Sequence, residues 1–149
     1  MNELLQLYQQ MIIDHGQRPR NFGKIEHPTH KQQGVNPLCG DKLEMYLIIE
    51  DNLIKDVKFS GEGCAISMAS ASMLTEMIKG KKVDEANNLV EDFQSMLVTQ
   101  DISEEAKDRL GKAVILEGVK EYPSRIKCAT LAWHALKNAC EGSGEATTE

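Results

Sequence analysis

A chain of 149 residues, 41% hydrophobic and 27% charged, is long enough for one self-sufficient domain that buries roughly two thirds of the surface its unfolded form exposes, with no metal or disulfide needed merely to fold. A net charge of -6 without a concentrated basic stripe argues against a nucleic-acid duplex as the main partner, and charge interrupts every apolar stretch well before the roughly 20 residues of a spanning helix. Met1-Asn2-Glu3 lacks a basic flank and cleavage pattern, so a soluble cytoplasmic protein is expected, whose cysteines are free, metal-bound or reactive rather than a disulfide framework.

The first helix is predicted over residues 3 to 15, where Leu4, Leu5, Tyr8, Met11 and Ile12 form one stripe and Gly16 and Pro19 supply the stop. Residues 16 to 38 have little periodicity and read as extended, with one short edge strand near Thr29 to Val35. Leu43, Met45, Leu47 and Ile49 then alternate with Glu44, Tyr46, Ile48 and Glu50, and Asp51-Asn52 separates them from Leu53, Lys55, Val57 and Phe59. That is a β-hairpin with one apolar face, which helices must cover because two strands alone are marginal in water. Its antiparallel return brings the segments carrying Cys39 and Cys64 to one end of the sheet.

Helical spacing resumes from Cys64 to Lys79, with Gly80 as a stop, and again over residues 83 to 97 through Ala86, Val90, Phe93 and Leu97. The acidic residues 99 to 111 suggest a short helix begun by Ser103, and another helical piece spans residues 112 to 121. Pro123-Ser124 opens a last helix reaching about residue 140, with Leu131, Ala132, Ala135, Leu136 and Ala139 inward. The expectation is one α+β domain over residues 1–149, a small antiparallel sheet of about three strands packed by several helices, with 142–149 a frayed tail.

Three cysteines are costly to explain as packing. Cys39 lies in the loop sequence Asn36-Pro37-Leu38-Cys39-Gly40-Asp41, Cys64 follows Gly61-Glu62-Gly63 at a helix start, and Cys128 follows Pro123-Ser124 by about one turn. Cys64 and Cys128 near helix N-termini would favour thiolate over thiol, and Gly40, Gly61 and Gly63 would let the backbone approach an ion. The competing account is that Cys64 and Cys128 are small core residues. With Asp41 as a fourth ligand the set suits tetrahedral zinc, or iron with inorganic sulfide, and composition does not choose between them. Cys140 lies about 18 Å along the helix from Cys128 and is a poor rival. His15, His27, His30 and His134 are weaker ligand candidates. Arg125 and Lys127 are either solvent-facing charges or cations offsetting the thiolates.

Asp14-His15, Pro19-Arg20-Asn21, Asn36-Pro37-x-Cys39-Gly40-Asp41, Gly61-Glu62-Gly63-Cys64-x-Ile66-Ser67-Met68-Ala69-Ser70-Ala71-Ser72 and Arg125-Ile126-Lys127-Cys128-Ala129-Thr130-Leu131 run almost the whole chain. Together they resemble the SufU branch of the IscU-like iron-sulfur assembly proteins. The resemblance implies a small antiparallel sheet packed by helices and zinc on Cys39, Asp41, Cys64 and Cys128. It implies that Cys39 accepts persulfide sulfur from a SufS-type, pyridoxal-phosphate-dependent cysteine desulfurase, a partner histidine replacing it on the metal, with downstream Suf scaffold proteins as further partners. Lys127 stands where the IscU branch has histidine, and the proline-rich segment of that branch shrinks to Tyr122-Pro123-Ser124-Arg125, which favours sulfur transfer. The alternatives are a scaffold holding a transient [2Fe-2S] cluster on the same residues, and a zinc-stabilised adaptor that only activates the desulfurase.

Overall fold

The computed structural model describes residues 3–99, 102–141 and 146–147, with side chains over 9–99 and 102–141. Leu4, Leu5 and Tyr8 of the expected first stripe lie outside the described side chains. The elements run α1 (Glu3–Gln17), β1 (His30–Asn36), β2 (Asp41–Glu50), β3 (Leu53–Glu62), α2 (Ala65–Ile78), α3 (Val83–Val98), α4 (Glu104–Leu110), a 3-10 helix (Gly111–Glu121), α5 (Pro123–Glu141) and β4 (Ala146–Thr147). This is the expected α+β arrangement, three antiparallel strands covered by helices. The sheet order is β3-β2-β1-β4, the last joined in parallel through Gly34 and Val35. Two residues of the segment expected to fray are thus paired to a sheet edge.

The Asp51-Asn52 turn has positive φ at both positions, 53° and 64°, the backbone that a two-residue hairpin loop requires. The strict alternation expected along β3 fails at one point. Ile48 pairs with Asp56 but Ile49 pairs with Ile54, so Lys55 is an extra residue on a β-bulge. The inward set is therefore Phe59, Val57 and Ile54, while Lys55 stays exposed. A simple period of two would have put a lysine into the core.

The helical piece expected over residues 112 to 121 is present as the 3-10 helix. Ala113, Leu116 and Val119 are its buried residues, a spacing of three that keeps one face inward when a turn holds three residues. Gly111, at φ 52°, separates it from α4, whose start is capped as predicted by Ser103 Oγ accepting from the Ala106 N–H at 3.1 Å.

The core lies between the inner sheet face and α2, α3 and α5. Phe93 and Trp133 stack at 3.9 Å between centroids, and the Trp133 indole donates to Ser70 Oγ, which donates to the Ala129 carbonyl. This buried chain ties α2 to α5 and satisfies each polar group it encloses. Close approach at two glycines fixes the helices. A Cβ on Gly34 would meet Leu131 Cδ1 at 3.2 Å, and one on Gly16 the Ala65 carbonyl at 3.2 Å, so α5 sits tightly on β1 and α1 on the first residue of α2.

His15, a weak ligand candidate from the sequence, is buried and its Nδ1 lies 2.7 Å from Ser72 Oγ, which also accepts the Arg20 N–H. Burial holds its pKa below the ordinary 6.5, helped by Arg20 and Lys112 and opposed by Glu76 and Asp14. Because the folded state favours neutral imidazole, its contribution is present above pH 6.5 and is lost as pH falls through the lowered folded value. The thermal midpoint of the protein should therefore drop between pH 7.5 and about pH 5.5, and His15→Gln should flatten that part of the profile in melts across the range. An equal drop in the variant would assign the effect elsewhere.

Candidate metal centre

The site forms where three strand ends, one helix start and α5 meet. Asn36 and Asp41 are the last pair of the β1–β2 ladder, so Pro37-Leu38-Cys39-Gly40 is the connecting turn, with Gly40 at φ 74°. Lys42 pairs with Glu62 on β3, and Gly63-Cys64 follows directly. The hairpin return brings the Cys39 and Cys64 segments to one end of the sheet, as expected. Cys128 arrives from α5, which Gly34 seats against β1.

Asp41 has 0% exposure. Its Oδ1 accepts the Cys64 N–H at 2.8 Å and its Oδ2 accepts from Asn36 Nδ2 at 3.1 Å. Such a carboxylate crosslinks β1, β2 and the entry to α2. Gly63 is required by space, because a Cβ there would stand 2.7 Å from Asp41 Oδ1 and 3.2 Å from Ser67 Oγ. Cys64 is the N-cap of α2, not its first helical residue, and its Sγ accepts the Ser67 N–H at 3.4 Å.

Cys128 is fully buried, and its thiol donates to Cys39 Sγ at 3.2 Å and lies 3.6 Å from the Ser124 carbonyl. Cys39 is exposed. The ligand atoms of Cys39, Asp41 and Cys128 all lie within 4.8 Å of one another. Ligands of a tetrahedral zinc with bonds of about 2.3 Å stand about 3.8 Å apart, so this grouping fits one ion after small adjustments. Cys64 lies outside the 4.8 Å grouping but near enough to Cys128 to help raise the pKa of that thiol. The donor set is three sulfurs and one carboxylate, with the carboxylate dry and held by two N–H groups, which fits a resident metal ion.

One local expectation is reversed. Cys128 was expected to gain thiolate character from its helix start, yet its pKa is raised, first by burial and then by hydrogen bonds with Cys39, Cys64 and Asp41. It stands beyond the first turn of α5, where the unpaired N–H groups no longer face it. Deprotonating it needs a cation nearby. Arg125 is exposed but lies near enough to Cys128, Cys64 and Cys39 for those thiols to raise its pKa further. Lys127 is half-buried and makes no hydrogen bond or ion pair with the thiols among the described residues.

Histidine is absent from the ligand grouping among the described residues. His134 is half-buried in α5, its pKa lowered by burial and then by Lys137. Cys140 packs against the core, and burial pushes its thiol up to about 11. An open groove of about 650 Å³ runs from Arg125 along Ile12, Ile66, Ile115, Val119 and Tyr122. The residue that sequence reasoning missed is Asn36, read there as a loop flank. Its only signal was its place ahead of Cys39 and Asp41.

The family model described as the NifU-like N-terminal domain matches residues 7–140. The chain is 41% identical over 131 residues to the zinc-dependent sulfurtransferase SufU of Bacillus subtilis (strain 168), covering 88% of this chain and 87% of that protein. It is 39% identical over 146 residues to the iron-sulfur cluster assembly scaffold protein IscU of Streptococcus pyogenes serotype M1, covering 98% and 90% respectively. A crystal structure of a SUF-system iron-sulfur cluster assembly scaffold protein from Fervidobacterium islandicum AW-1 superposes with a TM-score of 0.83 at 35% identity, over 90% of this chain and 96% of that one. No described helix is long and apolar enough to cross a membrane.

Proposed function

The chain belongs to the NifU-like N-terminal domain family, and from that premise we propose that it is a zinc-dependent sulfurtransferase of iron-sulfur cluster biogenesis. Its acceptor is Cys39 and its sulfur donor a SufS-type cysteine desulfurase, whose turnover it stimulates. The observation that carries this reading is an exposed Cys39 thiol joined to a buried carboxylate and a buried thiol. Zinc would be held by Cys39, Asp41, Cys64 and Cys128, and when bound supplies the positive charge that keeps their thiols deprotonated.

The chain's own residues do the rest. Asp41, Cys64 and Cys128 are anchored to strand ends and helices, whereas Cys39 is carried on a turn that opens to solvent beside Leu38, itself 66% exposed. The Cys39 thiolate attacks the outer sulfur of the desulfurase cysteine persulfide. A sulfur-sulfur bond forms on Cys39, the bond inside the donor persulfide breaks, and the enzyme cysteine leaves as thiolate, with no net oxidation. Such exchange needs an accessible thiolate more than a general base. Arg125, against the thiols, offsets their charge as the sulfur count grows.

Zinc content, persulfide mass mapping and desulfurase turnover measured on one preparation test the proposal. One zinc per chain, a sulfur adduct on Cys39 and stimulated turnover are expected. The IscU-type relatives favour a second reading, a scaffold with a [2Fe-2S] cluster on the same residues. Anaerobic reconstitution that yields a stoichiometric, transferable cluster without desulfurase stimulation would select it.

A further inference from the structure

Asn36 ends β1 with 0% exposure. Its Nδ2 donates to Asp41 Oδ2 at 3.1 Å and to Cys128 Sγ at 3.5 Å, the latter from a residue 92 positions away. Its Oδ1 is buried with no hydrogen-bond partner. An asparagine kept for the turn would bond nearby backbone through its side chain. Here both amide hydrogens go to a carboxylate and a thiol, and a buried oxygen is left unpaired at a desolvation cost. Turning the amide over would set that oxygen against two acceptors, so the orientation is fixed by the groups it serves.

We propose that Asn36 is a positioning residue of the metal centre, a single NH2 group that holds Asp41 and Cys128 at the separation one ion needs. The inference rests on the metal-binding reading given above. Asp41 comes from β2 and Cys128 from α5, and the Asn36 amide, carried on β1 between them, touches both ligands. It does so through its nitrogen, which has no lone pair to offer a metal and whose two donors are already committed. Partners of this kind orient ligands, and their loss typically weakens metal binding about 10–100-fold.

The test compares the wild type with Asn36→Ala and Asn36→Asp, the second keeping the shape while removing both donors. Zinc affinity by competition with a chromogenic chelator, the absorption spectrum of the cobalt(II)-substituted protein and the thermal midpoint of the metal-free protein are measured for each. Both variants should bind zinc about 10–100-fold more weakly, with cobalt bands displaced from those of the wild type. Wild-type affinity and an unchanged cobalt spectrum in either folded variant would overturn the proposal, because a purely structural asparagine lowers the metal-free midpoint and leaves affinity alone. Tighter zinc binding by Asn36→Asp would also overturn it, marking the position as a ligand site. If the wild type itself takes up neither zinc nor cobalt, the metal reading fails, and the positioning role falls with it.

Discussion

A Cys39→Ser protein is expected to fold normally, carry no persulfide and leave the desulfurase at its unstimulated rate. The side chain is exposed on a turn, so the exchange removes no buried packing, and the metal-free stability should stay within about 0.5 kcal/mol of the wild type. Serine at this position retains a donor of similar size but not a nucleophile for sulfur at neutral pH. Cys128→Ser is the useful contrast: it puts a hydroxyl into a fully buried position and should lower stability and zinc content together. Cys64→Ser falls between them, because serine is itself a good N-cap and can replace the bond to the Ser67 N–H while weakening the metal set. Persulfide mapping and turnover assays on the three variants separate these cases. Full stimulation by Cys39→Ser would transfer the protein to the adaptor reading, in which no sulfur passes through it.

Asp41→Ala should bring the largest loss of stability. The substitution strands the buried Asn36 amide and the part-buried Cys64 N–H, and an unsatisfied buried donor costs about 1–3 kcal/mol, less where water reaches it. The sum approaches the lower end of the 5–15 kcal/mol that holds a domain together, so the metal-free midpoint should fall by about 10 °C. Asp41→Asn is the control. It keeps the volume and one acceptor oxygen, so it should recover much of the midpoint while still losing zinc affinity, since the anionic ligand is gone. Calorimetry of the metal-free proteins beside chelator titration distinguishes the two contributions. Equal midpoints for wild type and Asp41→Ala would show that the buried bonds carry little weight.

Those contrasts also mark what was legible in the sequence. Helical spacing located α2, α3 and α5 within a few residues, because each buries a continuous stripe, and the Asp51-Asn52 hairpin followed from alternation plus turn chemistry. The arrival of the Cys39 and Cys64 segments at one sheet end followed from the antiparallel return alone. Lys55 escaped, since a bulge is a local choice between two registers and only the packed helices decide it. The helical piece over residues 112 to 121 was legible too, though not its 3-10 form, because Ala113, Leu116 and Val119 fit a loose α-helical stripe as well as a strict period of three. Asn36 and His15 escaped for a deeper reason: their partners Cys128 and Ser72 are remote in the chain, and no local pattern encodes such pairs. Cys128 was misjudged because a helix start was credited with reach beyond its first turn, where burial dominates.

The wide sequence separation of the candidate ligands has a kinetic consequence. Local pairs of cysteines can seize an ion while a chain is still unfolded, but here only Cys39 and Asp41 are neighbours, and Cys128 arrives with the last helix. Bringing that helix home closes a long loop, an entropic toll paid before any of its contacts reward it. On the proposed ligand set, tight metal capture would wait for α5 to dock on Gly34. Uptake of the ion would then be a timestamp for completed folding, and a half-made chain would offer the cell's free metals little to hold.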